Sequence, residues 1–224
     1  MTRRTPREMV VRLILLLVGL CIAHLGVTLF LQSNLGSDPF NVFIQGLFRS
    51  LPWPPFAGMT HGRTHLLVSV LIMAILLAVD RSYVGVGTVL CMALGGPIID
   101  VYTLWLSPVI HGALPLPIRL SLLVAGCVIL AFGMTIVIRS QAGTGPNDLV
   151  AVVLSDKLKR PFGPVRIGVD LVFALSGWTL GGTVGLGTVI CAFLVGPAAQ
   201  LFFPVSQRLC EAVLKQFTGE CSQT

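Results

Sequence analysis

Charged residues are scarce in this chain, and the motifs of several enzyme classes are missing from it. Asp, Glu, Lys and Arg together supply 11% of the 224 residues, while hydrophobic residues supply 54%. Soluble globular proteins carry about 25% charged residues, so the composition excludes that class. The sequence contains no Gly-x4-Gly-Lys-Ser/Thr phosphate loop, no His-Glu-x-x-His zinc motif and no Gly-x-Ser-x-Gly nucleophile elbow. We therefore expect a membrane protein that is not an enzyme.

Recognisable metal, redox and nucleic-acid motifs are also missing. The six cysteines form no Cys-x-x-Cys pair, and four of them lie in apolar segments, where free cysteine behaves as a small hydrophobic residue. We expect no metal and no cofactor. The net charge of +6 is not accompanied by aromatic residues interleaved with basic ones, so we expect no nucleic-acid partner.

Long apolar segments are what the chain has instead. Four of them match the roughly 20 residues that a helix needs to cross a bilayer. They are Leu13–Leu31, Val84–Leu106, Leu120–Ile138 and Val184–Phe203. Two shorter segments, Leu66–Val79 and Ile167–Leu180, would each span only about 21 Å at about 1.5 Å per residue. Length alone therefore leaves four or six crossings open.

The distribution of basic residues distinguishes these topologies, because Lys and Arg accumulate on the cytoplasmic side. Six crossings with the N-terminus inside place twelve basic residues in the cytoplasm and leave three outside, namely Arg49, Arg63 and Arg119. Four crossings give seven inside and eight outside, which is no bias. An eight-crossing alternative fails on length, since Phe40–Phe48 is about half a crossing. We predict six spanning helices in the bacterial cytoplasmic (inner) membrane, with both termini cytoplasmic.

The second half of the chain repeats the first. Four positions of the first half recur in the second half at one constant difference in residue number, which we call the first offset. Gly19 recurs as Gly126, Gly26 as Gly133, Gly36 as Gly143 and Pro39 as Pro146. Further on, a Gly-x-Gly-Thr segment and a Gly-Pro pair recur at a slightly smaller second offset: Gly85–Thr88 as Gly185–Thr188, and Gly96-Pro97 as Gly196-Pro197. Three crossings per half would make the second half enter the membrane from the opposite side, an architecture typical of transporters.

The predicted fold class is therefore an all-α membrane protein with six transmembrane helices in two inverted three-helix repeats. Each repeat contains a short re-entrant or interfacial helix. We place the first repeat at residues 12–106, the second at 119–204 and a cytoplasmic tail at 205–224.

A polar loop precedes the short helix in each half. Gly36 and Gly143 stand where the chain must reverse, and Pro39 and Pro146 stand at a favoured first helical position. The helix N-terminus offers unpaired N–H groups and a positive dipole end to a polar or anionic ligand. An ordinary capped turn is the alternative. The candidate ligand-binding residues here are Asp38, Asn41, Asn147 and Asp148.

Two prolines inside predicted helices mark the other candidate positions. Pro97 and Pro197 would each free a carbonyl and kink the helix, so we predict hinges there and at the loop glycines and prolines. Asp100 and Gln200 follow three residues later on nearly the same helix face. Asp100 also lies near the helix end, so anchoring at lipid headgroups is the alternative. We predict that Asp100 and Gln200 converge with the loop residues on one central cavity.

These motifs resemble the YczE/YyaS/YitT family of bacterial integral membrane proteins. The resemblance covers roughly residues 13–204 and is carried by Leu35-Gly36 with Pro39, by Ala142–Pro146, and by both Gly-x-Gly-Thr and Gly-Pro elements. One departure is Asn41, where an Asp would be expected. The resemblance implies a multi-pass membrane protein, but the family has no general biochemical activity that could be carried over.

Two functions remain open from the sequence. The first is a small transporter of a polar or anionic metabolite, with a wet cavity between the halves. The second is a non-transporting accessory or scaffold protein, packed solid by its glycines, which binds a partner protein. The lipid bilayer is the expected surrounding, and a homodimer is the candidate assembly.

Overall fold

The computed structural model describes residues 5–36, 38–52, 61–106 and 114–218, apart from the side chains of residues 61–63, 82 and 100, and all regular secondary structure in these ranges is helical. No strand occurs within these ranges. A short 3-10 helix, Arg81–Tyr83, joins the third and fourth α-helices. The α-helices are α1 (Pro6–Gln32), α2 (Pro39–Ser50), α3 (His61–Val79), α4 (Val86–Leu106), α5 (Leu116–Ser140), α6 (Pro146–Leu158), α7 (Phe162–Thr179) and α8 (Leu186–Thr218). The all-α prediction is confirmed.

Four of these helices, α1, α4, α5 and α8, are long and apolar enough to cross a membrane. The shorter α3 is apolar from Thr64 to Val79, whereas the 18-residue α7 contains Arg166 and Asp170. The described helices therefore belong to a membrane protein with at least four candidate spans. The count of six spans and the inversion of the halves stay predictions.

The α1 and α5 helices pack closely against each other through glycines. Gly19 lies against Gly133, and Gly26 lies against Gly126, so the two helices run antiparallel. A Cβ atom on Gly26 would stand 2.5 Å from the carbonyl oxygen of Gly126, inside contact distance. Small residues of this kind let membrane helices approach until their backbones touch.

Each half also forms a backbone hydrogen bond to the polar loop of the other half. The Gly187 N–H, at the start of α8, donates to the Leu35 carbonyl oxygen at 2.8 Å. The Gly87 N–H, at the start of α4, donates to the Ala142 carbonyl oxygen at 3.0 Å. Leu35 and Ala142 are related by the first offset, and Gly87 and Gly187 by the second. The repeated sequence therefore makes the same hydrogen bond twice, with the roles of the halves exchanged.

Two arginines reinforce this exchange. The Arg12 guanidinium of α1 donates to the Ser140 carbonyl oxygen at the end of α5, at 3.0 Å. The Arg119 guanidinium of α5 donates to the Ser33 carbonyl oxygen at the end of α1, at 2.7 Å. Both acceptors are carbonyls at the end of a helix, which have no partner within it. Each arginine therefore donates to a free carbonyl at the end of the helix that precedes the other half's polar loop.

The short helix α2 packs on α7, and the short helix α6 packs on α3. Phe40 of α2 makes an edge-to-face contact with Phe173 of α7, with ring centroids 5.2 Å apart. Leu149 and Val153 of α6 form a buried cluster with Leu76 of α3. Each short helix thus rests on a helix of the opposite half, which fixes where its N-terminus points.

The last helix extends past the predicted end of the second repeat. α8 has 33 residues, about 50 Å at about 1.5 Å each, and passes through Pro197 and Pro204 without ending. Beyond residue 204, Cys210 and Leu214 are buried against Leu15 and Ile136. The segment expected as a tail is therefore, as far as Thr218, a packed continuation of α8. The domain boundaries themselves stay a prediction.

Substitution of matched glycines tests the α1–α5 contact. Gly26→Ala should lower stability by roughly 1–3 kcal/mol, because the new methyl group overlaps the α5 backbone. Gly96→Ala is the control, since a Cβ atom there meets no described atom within 4 Å and alanine favours the helix by about 1 kcal/mol. Thermal unfolding of purified protein measures both. Equal midpoints for the two variants would contradict a backbone contact at Gly26.

Candidate functional site

The first polar loop ends in a side-chain cap. Asp38 is the N-cap of α2, and its Oδ1 accepts the Asn41 backbone N–H at 3.1 Å. The other oxygen, Oδ2, accepts the Asn41 side-chain amide at 2.6 Å. Asp38 thus supplies an acceptor that compensates one of the free N–H groups at this helix end. The carboxylate is fixed in place and carries a negative charge at the dipole's positive end.

The second loop ends differently, although its sequence is the repeat of the first. Gly145 is the N-cap of α6, and no side chain caps this end. Asp148 stands in the first turn, and its Oδ1 accepts the Asn147 side-chain amide at 3.1 Å. The acid therefore sits three residues further along the chain than in the first loop, and it is free to bond outside its own helix.

Asp148 bonds to an arginine of α7. The Arg166 Nη1 donates to Asp148 Oδ1 at 2.5 Å, and the Arg166 Nε donates to Asp170 Oδ2 at 2.9 Å. The Arg166 and Asp170 side chains are buried, with relative exposures of 9% and 2%, whereas the Asp148 side chain keeps 20%. Arg166 and Asp170 are four residues apart on α7, a spacing at which side chains on one helix meet, and they form an ion pair. Asp148 is the accessible member of the triad.

One of the two loops reaches this triad. Asp148 of the second loop contacts Arg166, and Asp38 of the first loop lies within electrostatic range of Asp170. We call Asp148, Arg166 and Asp170 the charged cluster. It contains two carboxylates and one guanidinium.

The remaining predicted site residues occupy other places. Gln200 is exposed on α8, and its Oε1 accepts the Gly163 N–H at 3.0 Å, one turn before Arg166. The Asp100 side chain lies outside the described residues. Pro97 and Pro197 are inside α4 and α8 as expected. The convergence of all six predicted ligand-binding residues on one cavity, and the hinge roles of the prolines and glycines, stay predictions.

The loop glycines have the backbone conformations that the sequence predicts for a reversal. Gly36 has φ 141° and Gly143 has φ 150°, in a region that side chains rarely adopt. A Cβ on Gly36 would also stand 3.0 Å from the Gly185 Cα of the other half. Both glycines are therefore required by the turn and by the docking of the loops.

The far ends of the short helices are also anchored at repeated positions. The Arg49 Nη1 donates to the Thr183 hydroxyl at 3.1 Å. The first offset relates Arg49 to Asp156, and the second relates Thr183 to Tyr83. Asp156 and Tyr83 also hydrogen-bond to each other, but in the opposite direction, because the Tyr83 hydroxyl donates to the Asp156 carboxylate. Partial burial and the bond to Asp156 both raise the pKa of the Tyr83 hydroxyl, so it stays protonated as a donor at neutral pH.

Sequence reasoning missed two features of this site. The first missed feature is the pair of arginines that bond to the helix ends. The first offset, which relates the glycines, also relates Arg12 to Arg119, so the repeat was a signal for this pair. The contact between Asp148 and Arg166 has no such signal. The two residues lie on different helices. The second offset relates Arg166 and Asp170 to Leu66 and Val70, so the first half has no charged residues at the equivalent positions.

Comparison with known proteins agrees with the resemblance found in the sequence. The chain is 28% identical over 204 residues to the uncharacterized membrane protein YczE of Bacillus subtilis (strain 168), covering 91% of this chain and 90% of that protein. It is 28% identical over 197 residues to the uncharacterized protein YyaS of the same organism, covering 85% and 92%. An uncharacterized protein of Haemophilus influenzae is 28% identical over 195 residues, covering 87% and 84%.

No solved structure matches the chain. The similarity to YczE and YyaS confirms the predicted resemblance, and YczE is itself described as a membrane protein. A family model matches residues 10–204, which is most of the sequence and includes both polar loops and the charged cluster. The protein belongs to the family of unknown function DUF6198.

Proposed function

We propose that this protein is a small transporter of a polar metabolite in the bacterial cytoplasmic membrane. Two halves of three spanning helices each would enter the membrane from opposite sides, with both termini in the cytoplasm. The observation that carries the proposal is the charged cluster. Ionisable residues inside a membrane protein are costly, and they commonly mark substrate or ion pathways.

Two observations support the inverted arrangement. The repeat-equivalent helices α1 and α5 pack antiparallel along their glycines. The loop bonds at Leu35 and Ala142 and the arginine bonds of Arg12 and Arg119 occur once from each half. An exchange of this kind is the geometry of two equivalent units related by a twofold axis, which transporters place in the membrane plane.

The distribution of buried and exposed side chains on α7 supports its assignment as a membrane span in addition to the four candidate spans. Its two charged residues, Arg166 and Asp170, are buried, while apolar and aromatic residues such as Val172, Leu175 and Trp178 are exposed. A helix with this distribution can face lipid without exposing charge. Its shortness is compatible with a span if flanking residues join in or the bilayer thins locally.

The sign of the charged cluster favours a ligand with a positive group. Two carboxylates contact one guanidinium, and excess negative charge in a low-dielectric interior is unfavourable unless compensated. Among the described residues, no group of three or more His, Cys, Asp or Glu has the arrangement of a metal site. We therefore propose a cationic or zwitterionic metabolite, such as an amine or an amino acid, in preference to a simple anion.

A second function is favoured by the packing of α1 on α5. Their contact is backbone to backbone at Gly19, Gly26, Gly126 and Gly133, which leaves no room for a ligand along that interface. A non-transporting scaffold that binds a partner protein would be built in this way. The two functions differ in whether the charged cluster binds a small molecule and releases it on the other side.

Ligand binding should depend on Asp148, the accessible carboxylate of the charged cluster. We expect an amine or amino acid from a panel of amino acids, polyamines and carboxylic acids to raise the unfolding temperature of the purified protein. Asp148→Asn should weaken that ligand about tenfold or more, since it removes a charge-assisted contact worth about 1.5–3 kcal/mol. Glu211→Gln, an exposed acid on α8, is the control and should bind normally.

Uptake of the same compound into proteoliposomes separates the transporter from the scaffold. The transporter predicts flux that Asp148→Asn abolishes and Glu211→Gln keeps. Binding without flux would favour the scaffold. A wild-type protein that responds only to simple carboxylic acids, or an Asp148→Asn variant with unchanged affinity, would refute the proposed ligand class.

Paired substitutions in the charged cluster separate stability from function. Arg166→Gln leaves Asp170 buried without its counter-charge, so it should destabilise the protein by about 3–5 kcal/mol. Arg166→Gln with Asp170→Asn should recover much of this loss, because both charges are gone. We expect the double variant to unfold near the wild-type temperature but to bind the ligand weakly. Wild-type binding by the double variant would assign Arg166 and Asp170 to structure alone.

A further inference from the structure

A second polar site lies apart from the charged cluster, at the ends of α5 and α6. A cavity of about 450 Å³ opens between these helices and α8. Its lining includes Arg139 of α5, Arg160 after α6, and Gln200 and Phe203 of α8. The volume falls in the usual range of small-molecule pockets, about 300–1,000 Å³. None of the carboxylates or the arginine of the charged cluster lines it.

Arg139 carries an unsatisfied donor in this cavity. Its Nε atom is buried and has no hydrogen-bond partner among the described residues. Its guanidinium carbon lies 5.0 Å from the centre of the Phe203 ring, which positions the group by a cation–π contact without using its N–H donors. A buried N–H group without an acceptor is rare in a folded protein and calls for an acceptor that binds there.

Arg160 brings a second positive charge to the same cavity. Its backbone is held in the turn after α6, since its N–H donates to the Ser155 carbonyl oxygen at 3.1 Å and its own carbonyl accepts the Ser155 hydroxyl at 2.7 Å. The one carboxylate among the lining residues, Asp156, hydrogen-bonds to Tyr83. The cavity therefore carries two guanidinium groups and one carboxylate, which leaves an excess of positive charge.

We propose that this cavity binds the phosphate group of a small molecule or of a lipid, with Arg139 and Arg160 as its ligands. Guanidinium groups suit the planar, multidentate recognition of such oxyanions. Arg139 lies in the last turn of a candidate spanning helix, at the depth where a long basic side chain reaches phospholipid headgroups. The inference goes beyond transport and does not rest on it.

Thermal unfolding of the full-length protein in a phosphate-free maltoside detergent tests this site with two probes. The first probe is inorganic phosphate added at constant ionic strength. The second is phosphatidylglycerol added to the detergent micelles. The variants are Arg139→Gln and Arg160→Gln, and the control is Arg208→Gln, an exposed arginine on α8 that does not line the cavity. Arg160 is exposed in a turn, so its variant should fold even if Arg139→Gln does not.

We expect at least one probe to raise the wild-type midpoint in a saturable way. Each cavity variant should weaken the probe about tenfold, which corresponds to about 1.4 kcal/mol, while Arg208→Gln binds normally. A response to phosphate identifies a soluble phosphate compound as the ligand, and a response to phosphatidylglycerol identifies a lipid. No response to either probe, or an equal response of all four proteins, would overturn the proposal.

Discussion

The contact on which the rest of this structure depends is the antiparallel packing of α1 against α5. Lipid gives helices no hydrophobic reason to associate, so close van der Waals contact and hydrogen bonds must hold them together. Glycines at 19, 26, 126 and 133 bring the two backbones into contact. Because the four positions are two pairs related by the repeat, the contact is the same when the halves are exchanged. The helix ends, and the loops that follow them, are placed by this single interface.

The loops in turn determine where the polar residues lie. Arg12 and Arg119 bond to the ends of α5 and α1, and the Leu35 and Ala142 carbonyls accept N–H groups from the opposite halves. Asp148, in the first turn of α6, contacts Arg166 of α7, whereas Asp38 caps its own helix α2. The hydrogen bonds at the loops occur once from each half, but the charges do not. The described residues therefore contain the Asp148–Arg166–Asp170 cluster without an equivalent at the related positions Leu66 and Val70.

The sequence predicted those parts of the fold that depend on spacing. The two constant offsets identified the glycines, and Pro39 and Pro146 marked where α2 and α6 begin. The Arg166–Asp170 pair is of the same kind, because residues four apart on one helix lie side by side. The bond from Arg166 to Asp148 is not, because contacts between helices depend on rotation and tilt, which single-chain periodicity leaves undetermined. The length of α8 was also missed, because the last apolar segment ends at Phe203, whereas the helix continues through the adjacent Pro204.

The inversion of the two halves is the central claim, and the residues Leu51 and Leu158 test it most directly. The first offset relates them to each other at the ends of α2 and α6, and both are exposed, with 41% and 60% relative exposure. Single cysteines at these positions, in a background without the six native cysteines, can be labelled with a membrane-impermeant maleimide in right-side-out vesicles. The account predicts that Leu51→Cys reacts in sealed vesicles and that Leu158→Cys reacts only after permeabilisation. Labelling of both cysteines from the same side would contradict it.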